Sequence, residues 1–228
     1  MKSSEEKSGG RSKVLVVIIL IALGGVVPGK EAWARSPKVE GEPILKVGVY
    51  NYAHIGGLEL REAEDHATRL FAVAGVRITW LDCATSPEEV AMCPQCANRD
   101  VILRILPPAM SSRFDSHAEA LGAAIPVPEP EHAWVASVFN GRVANIASSW
   151  MLDPGMVLGE AAAHELGHLL LGPGHARDGI MRANWTQQDL ERASEGKLHF
   201  DAAQAARLTA TVGRLRAGDA PLFLPGSQ

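Results

Sequence analysis

The chain has 228 residues, 46% of them hydrophobic and 21% charged, with a formal net charge of −4. That length suits one domain with appendages, and the composition suits a globular body with a real core rather than a disordered or fibrous chain. The slightly negative balance, with no basic run in the body, argues against a nucleic-acid partner.

Residues 1–13 carry Lys2, Lys7, Arg11 and Lys13; an uncharged apolar run follows over 14–27, and Ala32-Trp33-Ala34 supplies a small-residue site. This order is that of a secretory signal over 1–34, expected to be cleaved after Ala34. The apolar run is shorter than the roughly 20 residues of a bilayer span, and an uncleaved anchor over 14–27 is the alternative. No Cys follows the run, so a lipid anchor is not expected. In either case the body is expected outside the cytoplasm, secreted or periplasmic, with no membrane contact once the signal is removed. Residues 35–43 read as a linker too short to cover a cleft, 44–217 as the folded body and 218–228 as a flexible tail.

Within the body, 44–50 reads as a first strand. Ala63, Ala67, Leu70, Phe71 and Ala74 then recur at helical spacing, with Gly75 as a stop. The β-rich, alternating stretch 76–81 is a second strand, and 100–106 a third, ended by Pro107-Pro108. Residues 109–131, rich in Pro and Ser, are expected to be irregular, and 132–139 to form a further strand. A short helix is expected over 142–150. Asp153-Pro154 predicts a capped helix start, and Gly172-Pro173-Gly174 a firm end, for a helix over about 154–171. Thr186 and Asp189 suggest a capping box opening a helix to about Ala193. Ala205, Leu208, Val212 and Leu215 mark the apolar stripe of a last helix.

Cys83, Cys93 and Cys96 are the three cysteines. In an exported chain an odd count implies one disulfide and one spare thiol, with Cys83 paired to Cys93 or to Cys96. Cys93-Pro94-Gln95-Cys96 is also a C-x-x-C, which can be redox-active or bind metal, but the expected reading is a disulfide stapling a surface loop. No second pair lies near enough for a four-ligand zinc knuckle.

The chemistry concentrates in the helix over 154–171. His164 and His168 stand four residues apart, on one face, where both imidazoles can meet one metal ion. Glu165, beside the first of them, is placed to act on a metal-bound water. A catalytic zinc takes three protein ligands, so a third must arrive from outside the helix. Gly172 and Gly174 permit the sharp turn and His175 follows at once, making it the third ligand. Asp178 and Glu191 compete for that role, since carboxylates also bind zinc. His54, His66, His117, His132 and His199 are scattered and are expected to be surface or hydrogen-bonded histidines.

The stretch from His164 to His175, followed by Gly179-Ile180-Met181, resembles the metzincin zinc metallopeptidases, whose pattern is H-E-x-x-H-x-x-G-x-x-H followed by a turn carrying Met. Here the Gly and the third His each come one residue late, and Ala183 stands where some branches place a Tyr. The resemblance implies an α+β zincin domain with a small mixed sheet, an antiparallel edge strand, an active-site helix and a C-terminal helix. It implies zinc held by His164, His168 and His175, Glu165 as general base, and Met181 as the floor of the site. It also implies a peptide or protein substrate pairing with the edge strand, for which Ala136 and Phe139 are the expected lip. Three alternatives stand beside it. One is a zinc-stabilised binding protein without catalysis. Another is a thermolysin-like peptidase with Glu191 as third ligand, and the last a membrane-anchored redox protein using Cys93 and Cys96.

Overall fold

The structure is a computed structural model describing residues 41–85, 94–114, 120–126 and 134–217. The expected signal over 1–34, most of the linker, Cys93, His117, His132 and the tail over 218–228 lie outside these residues. All described residues fall in the unit Pro37–Gln228.

Strand β1 (Ile44–Asn51) opens the sheet and leads to helix α1 (Gly57–Val73). Strand β2 (Arg77–Cys83) follows, then a single 3₁₀ turn (Pro94–Asn98) and strand β3 (Val101–Leu106). A one-turn helix α2 (Pro108–Ser111) precedes strand β4 (Gly122–Pro126) and strand β5 (Trp134–Phe139). Four of the helices are thus α1, α2, α3 (Asn140–Trp150) and α4 (Pro154–Leu171), and α5 (Gln187–Ser194) and α6 (Ala202–Ala217) complete the body.

The five strands form one mixed sheet in the order β2-β1-β3-β5-β4. The first three pairings are parallel and β4 runs antiparallel to β5. Alternation along β1 sends Leu45, Val47 and Val49 into the core, and β3 adds Val101, Leu103 and Ile105. Helices α1 and α4 pack on this face, joined by Leu208 and Val212 of α6. Helix α1 buries the expected stripe of Ala63, Ala67, Leu70 and Phe71, and it ends at Gly75, whose φ of 77° suits glycine.

Two expectations need correction. The stretch 109–131 is not irregular throughout: it contains α2 and the strand β4. Strand β5 is not the sheet edge, because β4 lies outside it. Ala136 is fully buried and Phe139 only 1% exposed, so neither forms a lip. The edge is β4, and its register with β5 settles which of its groups are free. The amide of Phe139 donates to the Leu121 carbonyl at 2.8 Å, and Gly122 sits opposite Val138. Antiparallel pairs alternate between bonded and non-bonded, so Gly122, Ala124 and Pro126 turn their backbone polar groups to the open side. Pro126 has no N–H to offer there, which suits an edge position.

Helix α4 is buried all round, as a central helix must be. Asp153 caps it, its carboxylate accepting from the Met156 amide at 2.7 Å, with Pro154 in the first turn. It lies very close to α1. A methyl group placed on Gly159 would come within 2.5 Å of the Ala63 carbonyl oxygen, so glycine is what allows the approach. Among the described residues no helix is long and apolar enough to cross a membrane.

Cys83 and Cys96 form a disulfide that ties the end of β2 to the 3₁₀ turn. Of the two pairings open to Cys83, this is the one adopted, and Cys96 is therefore not paired within its C-x-x-C. With three cysteines and two in this bond, thiol titration of the denatured chain should find one thiol before reduction and three after. The bond spans 13 residues, and closing a loop of that size is worth about 3 kcal/mol. Reduction should lower the unfolding free energy in urea by about that amount.

Glu160, on α4, is 1% exposed and its Oε2 has no hydrogen-bond partner among the described residues. Burial pushes its carboxyl up from 4.5 to about 8, against a smaller downward pull from Arg69. The fold therefore holds the neutral acid. Its contribution is whole below about pH 4.5 and is lost as the pH rises towards 8. Glu160→Gln should abolish this slope, so its urea midpoint should gain on the wild type steadily between those two pH values.

Candidate metal centre

Helix α4 brings His164 and His168 onto one face, one turn apart, and stops two residues before Pro173. Gly172 takes φ 90° and Gly174 φ 110°, backbone angles that suit glycine and swing the chain round. His175 then returns towards the helix. The loop beyond it is closed by the Ala176 amide donating to the Met181 carbonyl at 2.8 Å. Ile180 is tied in turn to the next segment, its amide donating to the His199 carbonyl at 3.1 Å.

The three imidazoles converge. His168 Nε2 lies 3.0 Å from His164 Nε2 and 3.2 Å from His175 Nε2, and the rings of His164 and His175 each stand edge-on to that of His168. All three ligand atoms fall within 4.8 Å of one another, and the cluster could hold a metal ion. His164 is buried, His168 half-buried and His175 exposed, so the group faces outward from the core.

The donor set fits a zinc ion. His164 Nδ1 donates to the Ile180 carbonyl at 2.7 Å, which commits its proton there and leaves a lone pair on Nε2. His168 Nε2 meets two other ring nitrogens and has at most one proton to share between them. A cation at their centre resolves this crowding. Tetrahedral ligands at Zn–N distances of 2.0–2.1 Å stand about 3.3 Å apart, close to the separations seen. Burial also keeps the rings neutral. It pulls His164 down to about 4, aided by its neighbours His168 and His175 and opposed by the Ile180 carbonyl. It lowers His168 as well, with His175 adding to the effect. Neutral imidazole is the ligating form.

Glu165 is 6% exposed, and burial alone raises its carboxyl to about 8. Met181 is buried against the helix. A methyl group on Gly167 would lie 2.5 Å from Met181 Sδ, so glycine inside the H-E-x-x-H stretch makes room for that sulfur. Trp185, which the sequence did not single out, donates from Nε1 to the same Ile180 carbonyl at 3.2 Å and sets its ring edge-on to His164 at 5.4 Å. No motif position signalled it; an aromatic shortly after the Met181 turn was the one available cue.

The competing ligands do not reach. Asp178 is exposed, and Glu191 is exposed with its carboxylate accepting from Gln187 Nε2 at 2.9 Å. Neither belongs to the three-residue group. His54 is exposed, and His66 and His199 are half-buried elsewhere.

Zinc at about 100 times its dissociation constant should raise the unfolding free energy by about 2.7 kcal/mol. His164→Ala should erase this gain, and His175→Ala should weaken binding while leaving the apo fold intact. Urea titrations with and without zinc, followed by chelator, measure both.

No protein-family model matches the chain, and no curated protein does. Among solved structures it is similar to archaemetzincin from Methanopyrus kandleri, with 18% sequence identity and a TM-score of 0.46, covering 77% of this chain and 99% of that one.

Proposed function

We propose that this chain is an exported zinc-dependent peptidase. The observation that carries the reading is the meeting of three imidazole nitrogens, two of them from the helix that also carries the buried carboxylate of Glu165. A purely structural metal site has no use for that carboxylate. His164, His168 and His175 would hold the ion, the arrangement implied by the metzincin-like spacing. Bound there, zinc would polarise a scissile carbonyl and acidify a water to a pKa of about 7.

The protein's own groups do the rest. Ile180 holds His164 in the tautomer that presents Nε2. Glu165 takes the proton of the attacking water at its carboxylate and hands it to the leaving amine. A nearby cation would draw its raised pKa down into the range of a base. A peptide strand would add to the open side of β4, using the outward groups of Gly122 and Ala124. The body would lie outside the cytoplasm after loss of residues 1–34, a location the Cys83–Cys96 disulfide favours.

The test is Glu165→Gln with zinc content and hydrolysis measured together. The variant should keep its zinc and lose about 10²–10⁴-fold in turnover on a diverse peptide mixture. Retained turnover would remove Glu165 from the chemistry. Zinc binding without any cleavage by the wild type would make the protein a zinc-stabilised binding module.

A further inference from the structure

Glu165 is the reacting carboxylate in the reading above, yet no described residue donates a hydrogen bond to it. Among the described residues its position is then set by packing. The relevant neighbour is the first residue of the edge strand. A methyl group on Gly122 would lie 2.5 Å from Glu165 Cγ and 2.7 Å from its Oε1, so the carboxylate arm occupies the space a side chain would take. The same methyl would lie 2.5 Å from the Ser137 carbonyl oxygen, on the neighbouring strand.

The backbone at this point is firmly held. Arg142, on α3, donates to the Ala120 carbonyl at 2.6 Å, and the Phe139 amide donates to Leu121 at 2.8 Å. Gly122 is therefore a fixed wall. By the alternation of the ladder, its N–H and C=O point to the open side of β4, where a peptide strand would pair.

We infer that Gly122 is the positioning residue for Glu165: its bare α-carbon, braced by the start of β4, sets where the carboxylate stands relative to the three histidines and to an incoming peptide. The role rests on the peptidase reading, but the contact itself does not. It couples two surfaces of one residue. One side backs the proton acceptor and the other offers the main-chain groups that would hold substrate. Substrate pairing and base placement then share a single rigid point.

Two measurements test it. The first is a double-mutant cycle on the zinc-free protein, using Gly122→Ala, Glu165→Ala and the pair, read as urea midpoints. The loss caused by Gly122→Ala should be clearly smaller when Glu165 is already Ala. An equal loss in both backgrounds would overturn the proposal, because Ser137 alone would then account for it. Should Gly122→Ala fail to fold, recovery of a folded double variant supports the contact, and failure of both overturns it.

The second measurement is kinetic, with zinc affinity taken alongside. Gly122→Ala should keep its zinc and lose about 100-fold in kcat, the cost of misplacing a reacting group by about 1 Å. Its KM should change far less, the mark of an interaction lost in the transition state. Undiminished kcat would overturn the positioning role. If the wild type cuts no peptide, the peptidase reading falls, whereas the midpoint cycle still decides whether Gly122 places Glu165.

Discussion

One carbonyl oxygen, that of Ile180, holds the candidate site together. It accepts from His164 Nδ1 on the helix side and from Trp185 Nε1 on the far side. Because a carbonyl has two lone pairs, both bonds can form at once. The first fixes a tautomer and the second packs an indole edge against the same imidazole. The amide of Ile180 is anchored to His199, so the acceptor cannot drift. This anchor acts with the turn at Gly172 and Gly174 and with the Ala176–Met181 hydrogen bond to return the chain to α4.

The second constraint is steric. Helix α4 runs through the middle of the body with backbone pressed against its neighbours. Gly155 and Gly159 admit α1, and Gly167 admits the Met181 sulfur. Gly155 and Gly159, four residues apart, share the face that meets α1. Glycine costs helix stability, about 1 kcal/mol each relative to alanine, which burial of the surrounding leucines offsets. A helix so enclosed places any polar side chain it carries in a poor solvent. Glu160, His164 and Glu165 all show the effect, each shifted towards its neutral form.

Much of this was legible in the sequence. Asp153-Pro154 and Gly172-Pro173-Gly174 delimit α4 at 154–171 because capping and helix termination are local chemistry. The Thr186–Asp189 box is likewise local and present. The meeting of His175 with His164 and His168 was readable from the glycines that turn the chain. Strand β4 was not readable, because Gly-Ala-Ala-Ile-Pro lacks β-branched bulk and alternation, and its pairing is made entirely by tertiary context. For the same reason Trp134–Phe139 passed for an edge. Its small Ala136 and Ser137 look permissive, while in fact both lie fully covered. Gly122 carried no signal either, since a glycine's importance lies in what stands next to it in space.

Pro126 gives the edge strand a further property. An unpaired strand is a template on which identical molecules can stack. Within β4 the row of outward donors ends at a ring nitrogen, so another copy of β4 could not zip along its whole length. Over these five residues the open edge therefore offers only the outward donors of Gly122 and Ala124 to a neighbouring strand.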